Sequence, residues 1–311
     1  MYKKLFKNNI SVGTASVTFT GMNGYTGSLK KTFKITPYNI DADAMKAICV
    51  TDDFVAQYMK GATVIDPQVT FAGKLLINGK DYKLTFKNNK KVSGNVDLSK
   101  KPIVVITGKG NYSGSISYRF EIETQNISRL EMSATDKVFQ NKAGKFASTP
   151  VIKDENGKKL TAGTDYEKKA IYTYTENTKL ADGSMRLSGE VIGTGDIIPA
   201  GTSITAKVKG LGNYTGDISC TYRIVQADIS KAKCSIPTQT YTGKEIKPGK
   251  DDISIKIGGV KLAKEDYEIV SYTNNVNKGT ATVVIKGVGN YGGTKTIKFK
   301  IKSKPFSWWF R

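Results

Sequence analysis

One short pattern recurs four times along the 311 residues, and any fold proposed for the chain has to repeat with it. Its clearest form is Gly287-Val288-Gly289-Asn290-Tyr291-Gly292-Gly293. The same tyrosine returns as Tyr112 in Gly108-Lys109-Gly110-Asn111-Tyr112-Ser113-Gly114 and as Tyr214 in Gly210-Leu211-Gly212-Asn213-Tyr214-Thr215-Gly216. A looser copy, with Asn and Gly exchanged, is Gly21-Met22-Asn23-Gly24-Tyr25-Thr26-Gly27. Past each tyrosine stand an aromatic and then an isoleucine at fixed offsets: Phe33 and Ile35, Phe120 and Ile122, Tyr222 and Ile224, Phe299 and Ile301.

The residues flanking the pattern alternate with period two. Ahead of the turn one face carries Ala281, Val283 and Ile285, or Ile204, Ala206 and Val208, and the other carries polar residues such as Lys207 and Lys209. After it, Ile116, Tyr118, Phe120 and Ile122 alternate with Ser117, Arg119 and Glu121. Such alternation predicts half-buried strands, and glycine with asparagine between them supplies the positive-φ positions a hairpin needs. Each copy of the pattern is therefore expected to be a β-hairpin.

Upstream lie an aromatic (Tyr58, Phe139, Tyr241) and then an Asp-Tyr pair (Asp81-Tyr82, Asp165-Tyr166, Asp266-Tyr267). Pro67 and Pro248 fall between them, as suits a turn or an edge strand, and Asn78-Gly79-Lys80 is expected to turn the chain into the Asp-Tyr strand. No amphipathic helix of any length is visible, so the class is all-β. The expected boundaries are 1–36 for the last part of a repeat, 37–123, 124–226 and 227–303 for complete repeats, and 304–311 for a tail. The opening isoleucine of each repeat follows the closing one of its predecessor at the same offset: Ile35 to Ile40, Ile122 to Ile127, Ile224 to Ile229. Linkers so short and free of Gly/Ser runs predict restricted bending and an elongated rod.

Met1 falls in mid-repeat, because Met1–Asn9 aligns without a gap to Asp81–Asn89. The first copy keeps strands patterned to face a core (Val17, Phe19, Phe33, Ile35) but lacks those that would cover them. Residues 1–36 are accordingly expected to be poorly ordered or completed by pairing with a second molecule. The third repeat departs from the others in length. Asn275 precedes Tyr291 by 16 residues and Asn89 precedes Tyr112 by 23, but Asn177 precedes Tyr214 by 37, the excess lying around Ala181–Ser184 and Gly193–Asp196. An added hairpin or surface loop is expected there.

Tyr-x-Gly, Gly-x-Asp-Tyr, Asn-Asn, Gly-Thr-Ala-Thr-Val and Gly-x-Gly-Asn-Tyr-x-Gly, in that order, resemble the bacterial immunoglobulin-like repeats of large Gram-positive surface proteins. The fourth repeat carries nearly all of it, as Tyr241-Thr242-Gly243, Asp266-Tyr267, Asn274-Asn275, Gly279–Val283 and Gly287–Gly293, with Lys264-Glu265 where a glycine is expected. The second and third repeats match more loosely. The resemblance implies tandem immunoglobulin-like β-sandwiches, a stalk, spacer or adhesin segment at the cell surface or wall, and no catalysis.

Composition narrows the chemistry. There is no histidine, which removes the commonest general base and every Ser-His or Cys-His pairing. Ser230-Lys231-Ala232-Lys233 has the Ser-x-x-Lys spacing, but it stands at a strand-like repeat start where the motif needs a helix. The glycine-rich turns lead into strands, so no helix N-terminus is there to hold a phosphate. Asp41-Ala42-Asp43 and Asp251-Asp252 are acidic pairs near repeat starts, too sparse in oxygen ligands for calcium. Cys49, Cys220 and Cys234 form no disulfide framework or zinc pattern, and Cys220 shares a face with Ile218, Tyr222 and Ile224, as an inert buried thiol would. No catalytic, cofactor or metal site is therefore predicted.

A formal charge of +21 comes mostly from lysines spaced along strands (Lys298, Lys300; Lys207, Lys209), which reads as a solvated outer face. It permits loose attraction to cell-wall or host polyanions and carries no nucleic-acid motif. Glycan binding through the inserted loops of the third repeat is the second expectation. Both tryptophans, Trp308 and Trp309, stand in the tail. No apolar run is long enough to span a bilayer, so a soluble chain is expected. The first 30 residues lack the order of a secretory signal, so the sequence is expected to be an excerpt of a longer extracellular protein.

Overall fold

The computed structural model describes residues 1–42 and 46–303. Among them the helical elements are single 3₁₀ turns, such as Ile127–Arg129 and Ile229–Lys231, and everything else regular is β-strand. The molecule is all-β, a tandem series of sheet-built repeats, the first a single three-stranded sheet and the later ones each with two sheets. Two compact units are formed, one from Met1–Asn126 with the turn Leu211–Thr215, the other from Ile127–Gly210 with the described residues from Gly216 on.

In the first unit, Tyr2–Lys7, Gly13–Gly21 and Ser28–Ile35 make an antiparallel three-stranded sheet. The register sets Val17 opposite Phe6, Phe19 opposite Leu29 and Ala15 opposite Phe33, so these side chains share a face. Next come Tyr82–Lys87, Ile103–Gly108 and Ser115–Arg119, paired about the central strand, and the smaller sheet of Ile48–Thr51, Gln68–Phe71 and Lys74–Leu75. Ile40, Val69, Leu76, Tyr82 and Ile106 form the core of this second repeat, with Tyr38, Phe71, Tyr112 and Ile116 packed on it.

The second unit holds two fuller sandwiches. In the last one Gln239–Thr240, Thr294–Lys302, Gly279–Gly287 and Tyr267–Thr273 pair in that order, beside a sheet of Lys233–Ser235, Ser254–Ile257 and Val260–Lys261. The alternation places Ala281, Val283, Ile285, Ile297, Phe299 and Ile301 in the core while Lys298 and Lys300 remain exposed. Each such large side chain removed from water contributes about 2 kcal/mol. A register shift between Ile269 and Ser271 turns Val270 outward, which explains an exposed valine in an otherwise alternating strand.

The recurring sequence signals each have a local job. The turn closes through Gly287 N–H donating to the Gly293 carbonyl at 3.0 Å, and the same bond recurs at Gly21–Gly27, Gly108–Gly114 and Gly210–Gly216. A Cβ at Gly287 would lie 2.8 Å from the backbone of Tyr291 and Gly292, and Gly289 sits at φ +62°; one glycine makes room and the other supplies the left-handed conformation. The aspartate of each Asp-Tyr pair accepts from the backbone that precedes it, Asp81 from Ile77 N–H, Asp165 from Thr161 N–H and Asp266 from Ala263 N–H. It thereby fixes the turn into the strand. Of the Asn-Asn pair, Asn88 and Asn274 take positive φ. Buried Asn89 and Asn275 donate to the carbonyls of Thr63 and Ile246, pinning the crossing segment beside each strand end.

Candidate functional site

A recurring polar joint lies where one repeat follows another, and the same residue types build it three times. The asparagine of each Gly-Asn-Tyr turn accepts a backbone N–H from the preceding repeat: Val12 N to Asn111 Oδ1 at 2.8 Å, Val92 N to Asn213 Oδ1 at 3.0 Å, and Ala200 N to Asn290 Oδ1 at 2.8 Å. Its backbone carbonyl accepts from the linker, from Tyr38, Gln125 and Ala227 respectively. The linker then runs parallel to the residues after that asparagine, with Tyr38–Asn39 along Tyr112–Ser113, Gln125–Asn126 along Tyr214–Thr215, and Ala227–Asp228 along Tyr291–Gly292. The last glycine of the turn seats this strand, because a Cβ on Gly293 would lie 2.5 Å from Asp228 Oδ1.

The turn tyrosine completes the joint. Its ring meets, edge to face, the aromatic that opens the preceding repeat: Tyr58 with Tyr214 at 5.3 Å, and Phe139 with Tyr291 at 5.5 Å. Tyr214 and Tyr291 are both 3% exposed. Burial also raises the Tyr291 phenol above its usual range. These tyrosines and opening aromatics are visible in the sequence as repeated positions, but their partnership across the linker is not. The asparagine–backbone bond was likewise missed; the only signal for it is that Asn keeps its place in three turns and shifts in the first, as Asn23.

The candidates suggested by chemistry alone are dispersed. The start of the fourth repeat is a single 3₁₀ turn, Ile229–Lys231, rather than the strand the sequence suggested. Ser230 does not meet Lys233 there. Its hydroxyl donates to Asp228 Oδ2 at 2.6 Å, and Asp228 caps the turn through Ser230 N–H; both bonds hold the Asp228 carboxyl below its usual range. Cys49 is exposed, whereas Cys220 and Cys234 are partly buried and burial pushes both thiols up, away from the reactive thiolate. Asp252 accepts from Gly249 N–H and Asp251 pairs with Lys264. Asp41 is exposed, and Asp43 lies outside the described residues, as do Trp308 and Trp309. Among the described residues no three His, Cys, Asp or Glu side chains come together as a metal site would require.

The long segment of the third repeat is more than a surface loop. It contains the expected hairpin, Thr178–Lys179 with Met185–Arg186, and sends Leu180, Ile192 and Ile198 into the core. Its polar groups bond to one another: Asp196 accepts from Arg186 at 2.8 Å, from the Tyr174 hydroxyl at 3.0 Å and from Gly193 N–H at 3.1 Å. The Arg186 guanidinium first, and then Tyr174, hold the Asp196 carboxyl below its usual range. Burial first, and then the Asp196 carboxylate, push the Tyr174 phenol far up. The end of the segment supplies Ala200 to the joint with Asn290.

No family model matches the chain, and no curated protein matches it. No helix among the described residues is long and apolar enough to cross a membrane. Among solved structures, the chain is similar to a protocadherin gammaB7 EC3-6 cis-dimer structure, with 10% identity over 94% of this chain and 85% of that one and a TM-score of 0.20. It is also similar to a tetra-tandem repeat in the extending region of a large adhesion protein, with 11% identity over 96% of this chain and 84% of that one and a TM-score of 0.21.

Proposed function

We propose that this chain is a non-catalytic structural segment, a stalk or spacer of an extracellular adhesin-type protein at the cell surface, built from the repeats 37–123, 124–226 and 227–303 with a partial repeat at 1–36. The observation that carries the reading is the joint. At three successive linkers an asparagine and a two-residue parallel ladder hold one repeat to the next, and at two of them the turn tyrosine packs on the aromatic that opens the preceding repeat. A spacer needs junctions that resist bending, whereas a chain of independently acting modules does not. The polar groups of the inserted segment are mainly spent on one another, which supports the spacer over a glycan site in that loop.

Partner binding through residues 1–36 belongs to the same reading. Phe33 is 41% exposed, whereas its counterparts Phe120 and Phe299 are 2% and 3% exposed, so this sheet keeps a core face without its cover. Small-angle scattering together with a glycan array tests the function. An elongated particle whose maximum dimension shortens stepwise as repeats are removed, with no reproducible glycan signal, is expected. A compact particle, or glycan binding that follows residues 178–202, would overturn it.

A further inference from the structure

In the second, third and fourth repeats the strand that follows the Asp-Tyr pair lies at the edge of its sheet, and the repeats treat that edge differently. In the third, the inserted segment covers it. Tyr174 N–H donates to the Glu190 carbonyl at 3.0 Å, the Tyr174 carbonyl accepts from Gly189 N–H at 2.8 Å, and Ile192 N–H donates to the Tyr172 carbonyl at 2.9 Å. The insertion thus lays one more antiparallel strand on Ile171–Tyr174, with Thr173 bridged to Val191. In the second repeat the equivalent strand is Tyr82–Lys87. Phe86 holds the place of Tyr174, since each stands three residues before the second asparagine position, Asn89 or Asn177. The shorter insertion here is held at the strand's end by Asn88, whose side-chain amide donates to the carbonyls of Ser99 and Lys101.

The bonding of the Tyr82–Lys87 strand is one-sided. Lys109 N–H donates to the Asp81 carbonyl, and the register continues through Lys83–Thr107, Thr85–Val105 and Lys87–Ile103. Alternation then turns the N–H and C=O groups of Leu84 and Phe86 away from the sheet. No hydrogen bond among the described residues takes up those groups. Phe86 is half-buried where Tyr174 is fully buried. A groove of about 520 Å³ opens at the end of the strand, lined by Phe86, Val92, Val96 and Pro102 and flanked by Lys90 and Lys91. The joint beside it is made, because Val92 N–H already donates to Asn213. Lys83 and Lys87 stand on exposed positions of the strand, and neither they nor Lys90 and Lys91 form an ion pair among the described residues. Asp97 and Glu121 pair instead with Lys100 and Lys101.

We infer that the Tyr82–Lys87 edge binds an extended acidic segment of a partner protein, added as an antiparallel strand to Leu84 and Phe86, with an apolar side chain in the groove and carboxylates beside the four lysines. The third repeat supplies the geometry, since its own chain makes this pairing at the same place. The lysines supply the sign. A second copy of this chain, at a formal charge of +21, is repelled, as is any basic strand. The fourth repeat is not built for the same contact: its strand Tyr267–Thr273 shifts register between Ile269 and Ser271 and carries Glu268 where the second repeat has Lys83. Main-chain pairing of this kind gives affinity, and the flanking side chains select the partner. A spacer needs no such edge, so the inference adds to that reading and does not depend on it.

Amide hydrogen exchange of the full chain, followed by NMR, tests it with a capped peptide of alternating glutamate and leucine as probe and the lysine-leucine counterpart as control. Without peptide the Leu84 and Phe86 amides should exchange quickly, while those of Tyr174 and Ile192, bonded within the third repeat, are protected. The acidic peptide should slow Leu84 and Phe86 with a dissociation constant at or below about 1 mM at low salt, weaken as salt rises, and leave Tyr267–Thr273 unchanged. Lys83→Glu combined with Lys87→Glu, both on exposed positions, should weaken binding about tenfold or more. Protection of Leu84 and Phe86 before any peptide is added overturns the inference, because the chain then covers its own edge. So does equal binding of the basic peptide, or no slowing at these two amides up to about 1 mM. If inorganic polyphosphate shifts the lysine resonances as strongly as the peptide does while both amides stay unprotected, the lysines are a general polyanion surface and the edge is not a site.

Discussion

At the scale of single residues, the motif glycines and the surface lysines answer to different physics. Gly289 at φ +62° holds a conformation that a side chain disfavours, so Gly289→Ala should cost about 1 kcal/mol or more. Lys298→Ala, on the exposed face of its strand, should stay within about 0.5 kcal/mol. Equal melting shifts for the two would refute the hairpin role of the turn. Asp196 makes a second test. Its folded pKa is depressed by Arg186 and Tyr174, so the stabilisation it contributes is present above the unfolded value, roughly 4, and is lost as pH falls through the folded value. Asp196→Asn should therefore destabilise the third repeat by about 2 kcal/mol at pH 7 and by progressively less in acid. Denaturant melts at several pH values check it; a difference from the parent that does not change with pH removes the ion pair from the account.

At the scale of elements, the joint should open as a unit. Phe139 is buried against Tyr291, and truncation to alanine should cost about 3 kcal/mol, part of it from loosening the turn. Hydrogen exchange should then accelerate at the Ala200 and Ala227 amides, both bonded to Asn290, while Val283 and Ile285 in the central strand stay protected. Uniform acceleration through the repeat would mean that joint and core are one cooperative element. The strand faces were readable from alternation, and the hairpins from Gly-Asn-Tyr, because both are local. The two-residue parallel strands of the linkers were not. A dipeptide such as Gln125-Asn126 has no period to read, and its pairing depends on where Tyr214 comes to lie.

At the scale of the whole molecule, the fourth repeat should fold by itself, since Ile255, Ile285, Ile297, Phe299 and Ile301 form a core within it. Residues 227–303 should give a β-type circular dichroism spectrum and a cooperative melt, at lower stability than in the full chain because Tyr291 loses Phe139. A disordered fragment would show that this boundary does not delimit a domain. The sheet formed by residues 1–36 is the converse case. It has regular strands but leaves Phe6, Leu29 and Phe33 exposed, so its stability as a separate piece should be marginal.

The sequence by itself determined the all-β class, the repeat and the outward lysine face, since each follows from period-two alternation and from glycines whose conformations few other residues adopt. It also showed that no histidine-based chemistry is available. Only the tertiary structure decided what the repeated tyrosines and asparagines are for. Asn213 and Asn290 bond amides 121 and 90 residues away in the chain, and Tyr214 and Tyr291 stack on rings of the repeat before. Those partners are chosen by the path of the linker, and no local periodicity records a contact between residues that far apart.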